Sequence, residues 1–161
     1  MNLLILLKEP KLKNLSEKKL IFETSADLDG LKTVAERVFA ELKCKKAFCL
    51  WLDAEMGMGK TTLTNHLLRE FGLSERIPVT SPTYTYLNEY FVNNIWIAHL
   101  DLYRMSGSEN LYDLGLFETR PFSGYIVEWP RAVIDPDPLQ PSHILTIRWK
   151  QCSREYRLFE T

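Results

Sequence analysis

Cysteine is scarce and unpatterned. The three in 161 residues, Cys44, Cys49 and Cys152, show no C-x-x-C spacing, and His66, His99 and His143 are scattered. That spacing offers no zinc pattern, and reduced structural thiols are expected because disulfides are rare in the cytosol. Long apolar runs are missing as well. Leu3 to Leu7 is the longest near the start, far below the roughly 20 residues that span a bilayer. It lacks the basic flank and small-residue cleavage site of a signal peptide, so a cytoplasmic protein is expected. Neither sign of charge prevails, with 20 Lys and Arg against 21 Asp and Glu. Without a broad positive field, any role near RNA works through a partner or a local patch. No internal repeat or low-complexity tract interrupts the chain.

The remaining composition is that of a soluble globular domain, 45% hydrophobic and 25% charged, and the length suits one domain with a single substantial core. Residues 1–19 carry Lys8, Lys11, Lys13, Lys18 and Lys19 around Pro10 with little periodicity, and read as an N-terminal extension to a domain over 20–161.

Within that domain the pattern alternates between strand and helix. A short strand is expected over Leu20–Glu23. A helix capped at Thr24 or Ser25 should follow, with Leu28, Leu31, Val34, Ala35, Val38, Phe39 and Leu42 on its apolar face. Ala47–Leu52 is apolar without alternation, as in a strand buried on both faces of a parallel sheet. Thr61–Phe71 places Leu63, Leu67 and Phe71 on one helical face, with Gly72 positioned to end it. Tyr84–Val92 and Ile95–Leu100 flank Asn93-Asn94, a pair suited to a tight hairpin turn. Ser106 and Glu109 have capping-box spacing for a helix through Leu111, Leu114 and Phe117. Tyr125–Val127 is a short strand, and Ile144–Trp149 with Glu155–Phe159 a closing hairpin. The expected fold is α/β: a three-layer sandwich of the P-loop NTPase type, its sheet mainly parallel with antiparallel hairpins.

The chemistry centres on Ala54-Glu55-Met56-Gly57-Met58-Gly59-Lys60-Thr61, which matches G-x-x-x-x-G-K-[ST] everywhere but at its first position. In such a loop backbone N–H groups converge on phosphate, and the following helix adds the positive end of its dipole. Gly57 and Gly59 suit a close approach of backbone to ligand. Lys60 is placed to bridge the β- and γ-phosphates of ATP, the Thr61 hydroxyl to ligate magnesium, and Thr62 to reach the α-phosphate. At Ala54 a left-handed backbone would cost roughly 1 to 2 kcal/mol, and a negative φ nothing.

An NTPase also needs carboxylates at strand ends beside that loop. Asp101 follows the apolar run Ile95-Trp96-Ile97-Ala98, and Glu128 follows Tyr125-Ile126-Val127.

With those residues in view, the chain resembles the TsaE (YjeE) ATPases of bacterial tRNA threonylcarbamoyladenosine synthesis. The likeness is carried by Glu55 to Thr62, by Ser81-Pro82-Thr83-Tyr84-Thr85 with Asn88-Glu89-Tyr90, by His99-Leu100-Asp101-Leu102-Tyr103-Arg104, and by Glu128-Trp129-Pro130. Ala54 in place of the usual Gly, Met58 in place of a small residue and Leu100 in place of Phe depart from the family pattern. The resemblance implies ATP and magnesium held at Gly57, Met58, Gly59, Lys60, Thr61 and Thr62. Asp101 and Glu128 flank the metal and the attacking water, and Lys60, Asp101 and Glu128 form the catalytic trio. Thr61 and Glu128 would contact magnesium, with Asp101 holding a metal-bound water or orienting the hydrolytic one. The Ser81-Pro82-Thr83 loop looks like a switch segment. Arg131 is a candidate nucleotide contact, Arg104 a phosphate sensor or a core ion pair, and Trp129 a packing residue beside the pocket.

The function so implied is a magnesium-dependent ATPase, weak alone and stimulated within a complex with TsaD and TsaB, with tRNA engaged only indirectly and no membrane contact. Two other readings use the same loop. A small-metabolite kinase needs an Arg-rich lid, for which Arg120 alone stands between Arg104 and Arg131. An interaction module would bind nucleotide without turning it over.

Overall fold

The structure is a computed structural model that describes residues 15–105, 115, 120–130 and 139–161. A turn of 3-10 helix at Leu15–Glu17 leads into β1 (Lys19–Ala26). Then follow α1 (Leu31–Leu42), β2 (Phe48–Ala54), α2 (Lys60–Glu70), β3 (Leu87–Val92), β4 (Ile95–Asp101), β5 (Gly124–Glu128), β6 (His143–Lys150) and β7 (Ser153–Glu160). The strands form one sheet in the order β1-β7-β6-β2-β5-β4-β3. Its centre, β6-β2-β5-β4, is parallel, and the hairpin β3–β4 and the run β6-β7-β1 add antiparallel flanks. The α/β fold of P-loop NTPase type is thus present, with a parallel core and antiparallel hairpins.

The unalternating strand β2 explains the layering. Leu50, Leu52 and Ala54 face a core made with Leu31, Val34, Ala35, Val38 and Leu42 of α1 and Leu63, Leu67 and Leu68 of α2. Cys49 faces the opposite side, where Ala98, Leu100 and Val127 pack under Leu102, Met105 and Leu139. Period-two alternation sends successive side chains to opposite faces, so a central strand covered on both sides is apolar through Phe48–Leu52, ahead of the ion-paired Asp53. Both described helices lie on the first face; the expected helix from Ser106 through Phe117 lies outside the described residues. Among the described residues no helix is long and apolar enough to cross a membrane.

Several expected boundaries move. Thr24 and Ser25 do not cap α1, because the ladder of β1 on β7 runs on through Ala26, with Thr24 opposite Tyr156 and Ser25 opposite Glu155. The chain turns one step later, where Asp27 Oδ1 accepts the Gly30 N–H at 3.0 Å. Leu28 therefore sits before the helix, 55% exposed, rather than on its apolar face. Strand β3 begins at Leu87 rather than Tyr84, since the N–H groups of Thr85 and Tyr86 both turn back to the Pro82 carbonyl and Tyr86 has φ 63°. Strand β1 starts at Lys19, one residue ahead of the expected strand.

The turns themselves follow their residues. Asn93 and Asn94 take φ 45° and 66°, the paired positive values of a tight hairpin. Gly72, at φ 99°, ends α2 in a Schellman closure, with the Leu73 N–H donating to the Leu68 carbonyl at 2.9 Å.

Candidate nucleotide site at the carboxyl edge of the sheet

In the parallel centre all strands end on one edge, and the loops leaving β2, β4 and β5 meet there. They enclose a cleft of about 390 Å³ lined by loop residues 56, 57 and 59, the α2 start Lys60-Thr61-Thr62, Ser81 and Thr83, Asp101 and Tyr103, and Glu128-Trp129.

The loop after β2 owes its path to Gly57 at φ 74° and Gly59 at φ 90°, values that side chains other than glycine adopt only with strain. A Cβ built on Gly57 meets no atom within 4 Å, so the space beside the loop is open. Met58, expected among the phosphate-contacting residues, sends its side chain into the helical core, 2% exposed, and offers the cleft only its backbone. Ala54 ends β2 opposite Ile147 in the extended ladder and carries no left-handed strain.

Lys60 is 5% exposed. Its ammonium donates to the carbonyls of Ala54 at 3.0 Å and Glu55 at 2.8 Å, and lies 3.9 Å from the centre of the Trp129 ring. Trp129 therefore packs as expected, but it packs on the loop lysine, and it does so from a left-handed backbone at φ 57°. Tyr103 continues the aromatic wall, its ring centre 5.0 Å from that of Trp129.

The two carboxylates are register partners, Asp101 on β4 opposite Glu128 on β5, and both are 2% exposed. They are held differently. Glu128 Oε1 accepts the Thr61 hydroxyl at 2.9 Å and faces His99 Nε2, also at 2.9 Å. Asp101 Oδ2 accepts the hydroxyls of Ser81 and of Thr83, the latter at 2.6 Å, and its Oδ1 accepts the Tyr103 N–H at 3.0 Å. Glu128 thus converges on the helix that starts with Thr61, while Asp101 anchors the Ser81-Pro82-Thr83 loop.

Among the other expected residues, Thr62 is exposed on the cleft wall. Arg104 is exposed and stacks over the Tyr84 ring at 4.7 Å, so it is not the core ion pair considered above. Arg120, the one cation available to a lid, is tied to the sheet by Glu89 at 3.2 Å and by the Trp96 ring. Arg131 lies outside the described residues.

Two features were not singled out from sequence. His99 sits two residues before Asp101 on β4, a spacing that puts both side chains on one face. Asp53, 1% exposed just ahead of the loop, is paired with Arg148, whose guanidinium also donates to the Asp53 carbonyl at 2.7 Å. That clamp fixes the end of β2 against β6.

A parallel sheet centre, a glycine-rich turn from β2 into α2, and Lys60-Thr61 at the head of that helix define a protein of the P-loop NTPase class. The sequence model of the family described as "Threonylcarbamoyl adenosine biosynthesis protein TsaE" matches residues 25–158. The chain belongs to the TsaE family, whose place is in tRNA threonylcarbamoyladenosine biosynthesis. It is similar to the "tRNA threonylcarbamoyladenosine biosynthesis protein TsaE" of Haemophilus influenzae, 36% identical over 95 residues, 57% of this chain and 58% of that protein. The Bacillus subtilis protein of the same description is 35% identical over 107 residues, 66% of this chain and 65% of its own length. That of Rickettsia bellii is 29% identical over 107 residues, 66% of this chain and 72% of its own.

Proposed function

We propose that this chain is a magnesium-dependent ATP-binding protein and partner-stimulated ATPase, required in the cytoplasm for the threonylcarbamoyl modification of adenosine in tRNA. TsaD- and TsaB-type subunits are its proposed partners. The observation that carries the reading is the 2.9 Å hydrogen bond from the Thr61 hydroxyl to Glu128, formed in the same cleft as Lys60 and Asp101.

The residues present fit ATP and magnesium. A glycine-rich turn with open space beside it and a helix start supply backbone N–H groups for phosphate oxygens. Lys60 exchanges two neutral carbonyl partners for anionic oxygens, a stronger match for its charge. By donating its proton to Glu128, the Thr61 hydroxyl keeps its lone pairs for a cation. Glu128 adds a second oxygen donor, and magnesium prefers such oxygen ligands completed by phosphates and water. Magnesium, when bound, neutralises charge on the phosphate oxygens as it develops. Asp101, beside Glu128 in the β4–β5 register, holds the Ser81-Thr83 loop, and with magnesium bound its carboxylate would hold a water on the metal or orient the attacking one.

Fluorescent-nucleotide binding and γ-phosphate release test the proposal, each measured with and without magnesium and with purified TsaB- and TsaD-type partners. Lys60→Met is expected to weaken nucleotide binding by about 100-fold or more, and Glu128→Gln to abolish partner-stimulated turnover. Tight binding with no turnover in the complex would leave an interaction module instead. Transfer of labelled phosphate to a metabolite would make the chain a kinase.

A further inference from the structure

Of the two side chains that hydrogen-bond Glu128 among the described residues, Thr61 lines the cleft and His99 does not. That imidazole is fully buried in β4, 0% exposed, and its Nε2 lies 2.9 Å from Glu128 Oε1, the oxygen that also accepts the Thr61 hydroxyl. Its register partner is Ile126, two residues before Glu128 on the same face of the sheet, so the ring reaches forward along β5 to the carboxylate. Its Nδ1 is buried and has no hydrogen-bond partner among the described residues.

These facts decide where the proton sits. With the hydrogen on Nδ1, the ring would bury an N–H without an acceptor and turn a lone pair toward a carboxylate oxygen. With it on Nε2, the ring donates to Oε1 and leaves only an unpaired acceptor, the smaller penalty. The terminal torsion of a glutamate is broad and two-fold, so one hydrogen bond alone does not hold the carboxylate plane. Two donors on one oxygen, Thr61 from α2 and His99 from β4, do hold it. They occupy Oε1 and leave Oε2 as the oxygen without a hydrogen bond among the described residues.

We propose that His99 is a positioning residue: as the Nε2–H tautomer it pins Glu128 Oε1 beside Thr61 and thereby presents Oε2 to a divalent cation bound with nucleotide. The inference rests on the nucleotide reading of this cleft. Outer partners of this kind typically alter metal affinity by 10- to 100-fold when removed.

The test has a spectroscopic and a mutational arm. In the full-length, ligand-free protein, long-range proton–nitrogen spectra should show His99 with a protonated Nε2 and a bare Nδ1; the opposite tautomer overturns the proposal without any variant. Nucleotide binding is then titrated with magnesium. His99→Leu should raise the magnesium needed for half-maximal enhancement by 10- to 100-fold while binding of nucleotide in excess chelator stays within about two-fold. His99→Gln, which carries an N–H donor near the Nε2 position, should recover most of that loss, and His99→Asn, whose amide is shorter, should not. Equal losses with and without magnesium, or no difference between Gln and Asn, would reduce His99 to a packing residue. If the unaltered protein shows no magnesium enhancement, the functional reading fails, and the tautomer still judges the hydrogen bond to Glu128.

Discussion

Asp101 and Glu128 stand opposite each other in the β4–β5 register and are equally buried, yet the first is clasped by a loop and the second by a helix. Ser81 and Thr83 put two hydroxyls on one oxygen of Asp101, while the Thr61 hydroxyl and the His99 ring both meet one oxygen of Glu128. One carboxylate therefore reports the state of the loop between α2 and β3, and the other the state of the P-loop helix.

The clasp on Asp101 is measurable apart from any ligand. Replacing Ser81 by Ala and Thr83 by Val leaves a buried carboxylate with the Tyr103 N–H as its remaining donor among the described residues. Hydrogen bonds to charged groups contribute about 1.5–3 kcal/mol each, so a loss of that order per hydroxyl is expected in urea denaturation. Amide exchange over residues 80–86 should accelerate at the same time. An unchanged urea midpoint with unchanged exchange would mean that the clasp is not formed in solution.

At the other end of β5, Gly124 fits only because it has no side chain. A Cβ built there overlaps Phe48 Cζ and lies 2.5 Å from its Cε1, and Phe48 is itself stacked on Phe71 at 5.4 Å. Gly124→Ala should destabilise the domain by about 1–3 kcal/mol, the usual penalty of overpacking. Combining it with Phe48→Val should give a double variant that loses less than the sum of the two.

The thiols divide by burial. Cys44 and Cys152 are exposed, whereas Cys49 is buried and burial pushes its thiol up to about 12. Since the thiolate is the reactive form, a thiol reagent at pH 8 should modify Cys44 and Cys152 readily and Cys49 only after unfolding. Rapid reaction of all three in the native protein would contradict the buried placement.

Acid stability has a named contributor. Lys45 and Lys19 donate to Glu160 and hold its carboxyl down from 4.5 to about 2. A carboxylate depressed in the folded state stabilises fully above its unfolded value, and that contribution fades as pH falls through the interval from 4.5 to about 2. Glu160→Gln should flatten the fall of Tm with pH in that interval. Because Lys19 and Lys45 are largely exposed, high salt should shrink the difference between variant and parent. A pH profile identical in the two proteins would dismiss the pairing.

Much of the fold was legible because its strongest signals are local. The apolar run in β2 has no alternation and could only be buried on both faces; Asn93-Asn94 and Gly72 ask for positive φ and take it. The start of α1 was not legible from Thr24 and Ser25. Those residues serve a cap or a strand equally well, and pairing with Tyr156 and Glu155, some 130 residues away in the chain, decided for the strand. Tyr84 to Tyr86 read as strand from their aromatic content, but the turn back to Pro82 bends them out of the ladder.

By itself the sequence determined the glycine-rich turn, the lysine and threonine after it, and two carboxylates at strand ends, because each depends on residues adjacent in the chain. Only the tertiary structure decided how those groups pair. Thr61 and Glu128 are 67 residues apart, and so are tied only once α2 lies over β5. Trp129 meets Lys60 through a left-handed turn that no propensity announces. His99 gains its place beside Glu128 from the parallel register of β4 on β5, a long-range pairing that side-chain chemistry alone does not encode.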